Sequence, residues 1–364
     1  MIIALSITLF FLIIRFTVTL FNYISNPKLT RVSKRFTDRI SILIPARIEA
    51  KNILNLLQSI VKQDYHNYEV IIYDDCSNDA TYQLCANYAS KHPAFKIIKG
   101  DELPNGWTGK NFACAQLANQ ATGKYFLFLD ADTTIYNGLI NSVVQRVQYY
   151  KLALLSIFPD QEMESFGEKT TVPLLHFLLL NLLPLRLVYL SKSSLFAIAC
   201  GQLMFFDAAI YRKMQWHQLV KNKVVEDTEI MKAIKLDGYN GEVLLANEMV
   251  KCRMFDGYFN ALNGFSKSAL ALLNYSITTM LIFVTILFSG SLLVITTLNL
   301  SLIFYMLGLI ILSRIMVSLQ SNQNALQNIV LHPLQMVNFI IIAFLAIQKH
   351  LTKTNNWKDR LPNE

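Results

Sequence analysis

Between Ser268 and Gln348 the only Lys, Arg, Asp or Glu is Arg314. A tract of that length with so little charge has no polar face to offer water, so it belongs in a bilayer. Ile277 to Ile295, Leu300 to Leu312 and Ile329 to Phe344 read as three crossings, the middle one short and extended by Ser313 to Val317. Near the start, Ile2 to Phe21 carries Arg15 as its single charge and is long enough for one crossing more. Its charge sits late and no small-residue cleavage site follows, which argues for a membrane helix (residues 1–23) over a signal peptide.

Charge sets the expected sidedness. Lys28, Arg31, Lys34, Arg35 and Arg39 follow the first apolar stretch, and Lys349, Lys353, Lys358 and Arg360 follow the last. Both clusters predict a cytoplasmic side, so the middle of the chain and the tail (residues 349–364) face the cytoplasm of a multi-pass inner-membrane protein. An even number of crossings must then separate Lys267 from the tail. Of the three candidates, the segment holding His332 and Pro333 is the one expected to be re-entrant or to lie in the interface. Hydrophobic residues make up 53% of the chain and charged ones 16%, with a mean hydropathy of +0.35. Given that background, the net charge of +8 fits anionic lipid and not nucleic acid, for which no basic run interleaved with aromatics exists. Cys76, Cys85, Cys114, Cys200 and Cys252 are scattered, with no C-x-x-C pair. That spacing excludes a zinc site or a disulfide framework and fits a reducing compartment.

Residues 39–267 have another character, mixed and charged, with strand-like runs alternating with helical periodicity. Ile40–Pro45, Glu69–Asp75, Phe95–Ile98 and Tyr125–Leu129 read as strands; Ala50–Gln63, Asn78–Ser90 and Trp107–Asn119 read as the helices between them. This alternation predicts an α/β domain with a mostly parallel, Rossmann-like sheet. Further on, Leu152–Phe158 and Phe196–Phe206 have strand character, the second around Gly201. Val172–Leu190 reads as an amphipathic segment lying under lipid headgroups or as a buried core helix, and Glu226–Leu236 as a helix opening on two acids.

Three of the strands run into polar loops. Pro45-Ala46-Arg47-Ile48-Glu49 ends the first, Asp74-Asp75-Cys76-Ser77-Asn78-Asp79 the second, and Asp130-Ala131-Asp132 the fourth. In a parallel sheet those loops share the carboxyl edge, where ligands bind. Asp-x-Asp alone is more often a solvated turn; three acid-bearing loops on one edge make a site. Asp130 and Asp132 are hard oxygen donors suited to Mg2+ or Mn2+ carrying a phosphate-bearing substrate. Arg47 suits a phosphate, and an acid of the second loop suits a uracil imide or ribose hydroxyls. Gly109 and Lys110, at a helix start, offer N–H groups and a cation to a diphosphate.

These loops resemble those of the family 2 glycosyltransferases, which have the GT-A fold, over roughly Ile40 to Lys267. The family's Pro-Ala-Arg-Asn-Glu appears with Ile48 for Asn, and its Asp-Asp-Gly-Ser-x-Asp with Cys76 for Gly. The second replacement implies a loop with no unusual backbone angle at 76. Gly106-Trp107-Thr108-Gly109-Lys110 resembles the Gly-Trp-x-Gly-Lys of membrane members that act on carotenoid and hopanoid-associated acceptors. By that resemblance Pro45, Ala46, Arg47, Glu49, Asp74, Asp75, Lys110 and Asp130 bind the donor. Asp130 and Asp132 hold the divalent cation, and Gly201 and Gln202 lie on the acceptor side. Glu226 supports the catalytic base, Asp227, and Arg253 contacts diphosphate or headgroup.

The resemblance implies an inverting, metal-dependent transfer of a sugar, a UDP-hexose being the expected donor, to a lipid-soluble acceptor at the bilayer. A polyprenyl phosphate or cell-envelope glycan acceptor is the alternative; the lack of a Gln-x-x-Arg-Trp motif speaks against processive synthesis. A non-catalytic membrane assembly protein is the reading from another class. Retention of every acid the family uses counts against it.

Overall fold

The computed structural model describes residues 2–352 and 354; Lys353, Trp357, Lys358, Asp359 and Arg360 of the basic tail lie outside the described residues. The chain opens with α1 (Ile2–Ser25). It continues through β1 (Ile40–Ala46), α2 (Ile53–Val61), β2 (Tyr68–Asp74), α3 (Thr81–Ala89), β3 (Phe95–Lys99), α4 (Gly109–Gln120) and β4 (Tyr125–Leu129). Next come β5 (Thr133–Ile135), α5 (Leu139–Tyr150), β6 (Leu152–Phe158), β7 (Asp160–Gln161), α6 (Phe166–Thr171), α7 (Pro173–Leu182) and α8 (Arg186–Leu190). After β8 (Leu203–Asp207) follow α9 (Ala208–Met214), α10 (Trp216–Leu219), α11 (Glu226–Leu236), β9 (Asn240–Leu245) and β10 (Val250–Cys252). The last helices are α12 (Tyr258–Ala269), α13 (Ile277–Thr296), α14 (Leu300–Gln320), α15 (Ala325–Val330) and α16 (His332–Thr352). These elements form two compact units.

One unit comprises Lys28–Asp160 and Arg186–Arg253. Its seven-stranded sheet has the order β3-β2-β1-β4-β8-β6-β9. Neighbouring strands are parallel except at β8, which runs antiparallel to both β4 and β6. The mostly parallel α/β sheet expected from the sequence is thus present. Its strands carry continuous apolar runs because both faces are covered; every residue of β4 and β6 is buried. Ala46, Asp74 and Lys99 stand in register, so β1, β2 and β3 finish side by side. Against β4 and β8 pack the rings of Phe126, Phe128, Phe206, Tyr211, Trp216 and His217. Within that aromatic floor the Tyr211 hydroxyl bonds His217 Nδ1 at 2.7 Å, which satisfies two buried polar groups at once.

The strand expected over Phe196–Phe206 is shorter than its composition predicts. Only Leu203–Asp207 joins the sheet, and Gly201-Gln202 forms the turn before it. The backbone of that turn is engaged elsewhere, since Gly201 N–H donates to a side chain of α11.

The other unit comprises Met1–Pro27, Gln161–Leu185 and Met254–Asn355. Among the described residues three of its helices are long and apolar enough to cross a membrane: Leu5–Ser25, Leu300–Gln320 and His332–Thr352. A further pair, Tyr258–Leu273 and Ile277–Phe288, passes the same test together and bends by 108° at its joint. The break in the apolar tract therefore falls before Ile277. The segment with His332 and Pro333, expected to be re-entrant or to lie in the interface, opens an unbroken 21-residue helix, so the re-entrant form is not the one adopted. Pro333 sits in its first turn, where a missing N–H costs nothing. The extension of the middle crossing through Ser313 to Val317 is present, and α14 runs on to Gln320. The Val172–Leu190 segment is not one amphipathic piece, because Pro184 separates α7 from α8. Leu174, Phe177 and Leu180 of α7 are buried, as the core-helix alternative requires, while Leu175 and Leu178 are partly exposed and Leu182 is exposed.

Candidate active site

Lys110 stands at the centre of the predicted residues. Thr108 caps α4 by accepting from Asn111 N–H, which brings Lys110 into the first turn. Its ammonium lies 2.8 Å from Asp130 Oδ1 and 3.2 Å from Glu226 Oε1, and donates to the Gly201 carbonyl at 3.5 Å. The Gly201 N–H donates to Asp227 Oδ2 at 2.8 Å, and Asp130 N–H donates to the Gln202 carbonyl at 3.1 Å. Residues from α4, the end of β4, the turn before β8 and the start of α11 thus meet around one cation.

Gly201 is required by this closeness. A Cβ there would lie 2.9 Å from Lys110 Nζ, 3.2 Å from Glu226 Oε1 and 3.5 Å from Asp227 Oδ2. The first distance is below any real Cβ contact, so only a residue without a side chain lets the three charged groups close on the turn.

Burial, reinforced by the charge of Glu226, pushes the Asp227 carboxyl up to about 7, and Lys110 opposes the rise. Burial does the same to Asp132, also to about 7, with Asp130 and then Glu49 adding repulsion. Glu49 therefore acts on the β4 acids from the end of β1. The Cys252 thiol, kept neutral by burial, hydrogen-bonds the Asp132 carboxylate and accepts from Gln202 Nε2 at 2.9 Å. The position of Cys252 beside the Asp-x-Asp loop escaped the sequence reading. Its one signal was its place immediately before Arg253. Arg253 itself follows β10 and is half-buried.

The second acidic loop forms its own group. Asp74 and Asp75 are both 2% exposed although acidic, so they are part of the sheet edge and not solvated turn residues. Asp75 N–H donates to the Ala46 carbonyl at 2.8 Å, which ties the β2 loop to the end of β1 beside Pro45. Arg47 Nη1 donates to the Asp75 carbonyl at 2.5 Å and lies 3.9 Å from its carboxylate. Asp74 Oδ2 accepts from Ser77 N–H at 3.3 Å, and Oδ1 is buried with no hydrogen bond among the described residues. Sheet order places this group and the Lys110 cluster at the ends of neighbouring strands, β2, β1 and β4.

The backbone here departs from the sequence expectation at one point. Cys76 has φ +52°, and Ile48, packed beside it through Ile48 N–H to Ser77 Oγ, has φ +54°. The loop does need a left-handed residue at 76, and it holds a cysteine and a β-branched isoleucine in a conformation that costs each of them energy.

A divalent cation fits the chemistry of Asp130 and Asp132. Asp132 Oδ1 is buried without a hydrogen-bond partner among the described residues, and Asp130 already holds a cationic group, the Lys110 ammonium. Among the described residues no group of three or more His, Cys, Asp or Glu would hold a metal unaided. Two carboxylates suffice where substrate oxygens and water complete the shell, as is usual for Mg2+ with phosphates.

A family model described as Glycosyl transferase family 2 matches residues 41–212. A 4,4'-diaponeurosporenoate glycosyltransferase from Staphylococcus haemolyticus is 26% identical over 239 residues, covering 64% of this chain and 61% of its own. A protein of the same name from Staphylococcus aureus (strain USA300) is 32% identical over 133 residues, covering 35% of this chain and 34% of its own. The chain thus spans less than two thirds of either relative. Among solved structures, the mannosyltransferase PcManGT from Pyrobaculum calidifontis, in complex with GDP-Man and Mn2+, aligns with a TM-score of 0.56 at 14% identity. That alignment covers 98% of this chain and 100% of the other, and the likeness is one of fold.

Proposed function

Starting from residues 41–212 as a family 2 glycosyltransferase domain on a GT-A scaffold, we propose that this protein is an inverting glycosyltransferase of the cell membrane. It moves a hexose from a nucleotide sugar, a UDP-sugar first among the candidates, to a lipid-soluble acceptor. The catalytic unit faces the cytoplasm, and the apolar helices keep it beside the bilayer. The names of the Staphylococcus relatives favour a carotenoid-like acceptor.

The observation that carries this reading is the meeting of Asp130, Lys110, Glu226, Gly201 and Asp227 within hydrogen-bonding distance of one another. Inversion requires a carboxylate opposite the departing diphosphate, and Asp227 fills that role by taking the acceptor's proton on Oδ1 or Oδ2. The Gly201 N–H fixes the rotamer of that carboxylate. Asp130 and Asp132 would hold the divalent cation, whose chemistry is to neutralise charge on the leaving diphosphate. Lys110 and Arg47 offer cationic groups to the same phosphates, and Asp74 and Asp75 accept from the nucleoside end.

The deciding experiment incubates the membrane-embedded protein with a panel of labelled nucleotide sugars and native lipid extract, and identifies the product by mass. A glycosylated lipid and stoichiometric nucleotide release are expected. Nucleotide binding without turnover across the whole panel would leave a binding protein on a transferase scaffold.

A further inference from the structure

Arg15 and Arg314 are the single charges of their apolar stretches, and the transfer chemistry uses neither. Within the apolar unit they come together on one aromatic ring. The Arg314 guanidinium carbon lies 3.5 Å from the centroid of Phe177, and that of Arg15 lies 5.7 Å from the same centroid. Arg314 is 1% exposed.

The groups that meet these two cations are all neutral. Arg314 Nε donates to His332 Nδ1 at 2.8 Å, so that ring nitrogen carries no proton. Arg15 Nε donates to Asn181 Oδ1, and Asn181 Nδ2 in turn donates to Thr19 Oγ1 at 2.8 Å. Among the described residues neither arginine has an ion pair. The acids of this unit among the described residues, Glu162, Glu164, Glu168 and Asp256, all lie outside α1, α7, α14 and α16. Arg314 Nη2 is buried and makes no hydrogen bond among the described residues.

Two adjacent guanidinium groups inside a bundle of apolar helices repel each other and have lost their hydration. A neutral ring, an amide and an aromatic face compensate little of that cost. An oxyanion between them would satisfy the free N–H groups in the forked geometry that guanidinium prefers. A source in the surrounding lipid is favoured, because a free anion has no reason to enter a bilayer. We propose that Arg15 and Arg314, with His332 and Asn181 orienting them, form a binding site for the anionic head, carboxylate or phosphate, of a membrane lipid. The site is independent of the transfer reaction and stands whether or not sugar transfer is found.

The test uses the full chain in phosphatidylcholine nanodiscs, with oleate, phosphatidic acid and methyl oleate titrated separately and bound lipid counted by native mass spectrometry. At least one of the two anions should bind tenfold or more tightly than methyl oleate. Preference for oleate assigns a carboxylate, and preference for phosphatidic acid a phosphate. Arg15→Gln and Arg314→Gln should each weaken that binding at least tenfold, with Arg15→Lys retaining part of it. Should Arg314→Gln fail to fold, Arg15→Gln, at a partly exposed position, decides alone. Methyl oleate binding as tightly as the anions, or undiminished anion binding in Arg15→Gln, overturns the proposal.

Discussion

The backbone N–H of Gly201 donates to Asp227 Oδ2 at 2.8 Å, across a gap where a methyl group would strike the Lys110 ammonium. One contact thus joins the turn ahead of β8 to the helix that carries the candidate base. It also explains why that turn leaves the sheet.

Replacing Asp227 by Asn keeps the shape and the Gly201 hydrogen bond but removes the proton acceptor. Transfer should fall by about 10²–10⁴-fold, the usual worth of a general base. Nucleotide-sugar affinity, measured by calorimetry, should stay within a few-fold of the parent. Full activity in this variant would take Asp227 out of the mechanism.

The acid limb of the pH profile follows from the same residue. As the proposed base Asp227 must act as a carboxylate, and its folded-state pKa is raised to about 7, so it is protonated below that value. Activity should therefore rise with pH, reach its plateau above neutrality, and fall by about tenfold per unit on the acid side. Glu226 raises this pKa and Lys110 lowers it. Glu226→Gln should move the limb to lower pH and Lys110→Met to higher pH; a limb that ignores both variants would belong to another group.

Gly201→Ala places a Cβ 2.9 Å from Lys110 Nζ, which is clamped between Asp130 and Glu226 and cannot swing aside freely. The expected result is a loss of kcat of at least about tenfold, since small displacements of positioned groups are costly. Circular dichroism and the thermal midpoint should barely change. Unaltered kcat would mean that the cluster can relax around the methyl group.

Cys76→Gly and Ile48→Asn put tolerant residues at φ +52° and φ +54°. Relief of left-handed strain is worth about 1–2 kcal/mol per residue, and glycine returns part of that through its freer unfolded chain. Each change should raise stability by roughly 1 kcal/mol, read as a shift of the denaturation midpoint. A fall in stability would show that the Ile48 or Cys76 side chain contributes more than its backbone costs.

Asp132→Asn removes the carboxylate whose Oδ1 has no hydrogen-bond partner. Mn2+ binding, followed by electron paramagnetic resonance, should weaken by about tenfold or more, in line with the loss of one charged ligand. Chelation should abolish transfer by the parent protein. Activity that survives exhaustive chelation would reassign the neutralising role to Lys110 and Arg47.

Much of this architecture was written in local pattern. Continuous apolar runs such as Tyr125–Leu129 and Leu152–Phe158 read as strands, and both are strands buried along their whole length, where burial on two faces leaves no room for alternation. The sequence also placed acids at the ends of β1, β2 and β4, since strand ends are visible wherever an apolar run meets a turn. Side-chain identity alone misjudged Cys76. Its left-handed backbone is imposed by the loop's tie to β1 through Asp75 N–H and the Ala46 carbonyl, which no property of cysteine announces.

By itself, then, the chain's order of residues determined which segments are strands, which are apolar helices and which loops carry charge, because those follow from periodicity over a few neighbours. Only the tertiary structure decided that Lys110 bridges Asp130 and Glu226, that Gly201 holds Asp227, and that Arg314 donates to His332. Each of those outcomes depends on groups far apart in sequence, and a charge is tolerated or expelled according to partners that only packing supplies.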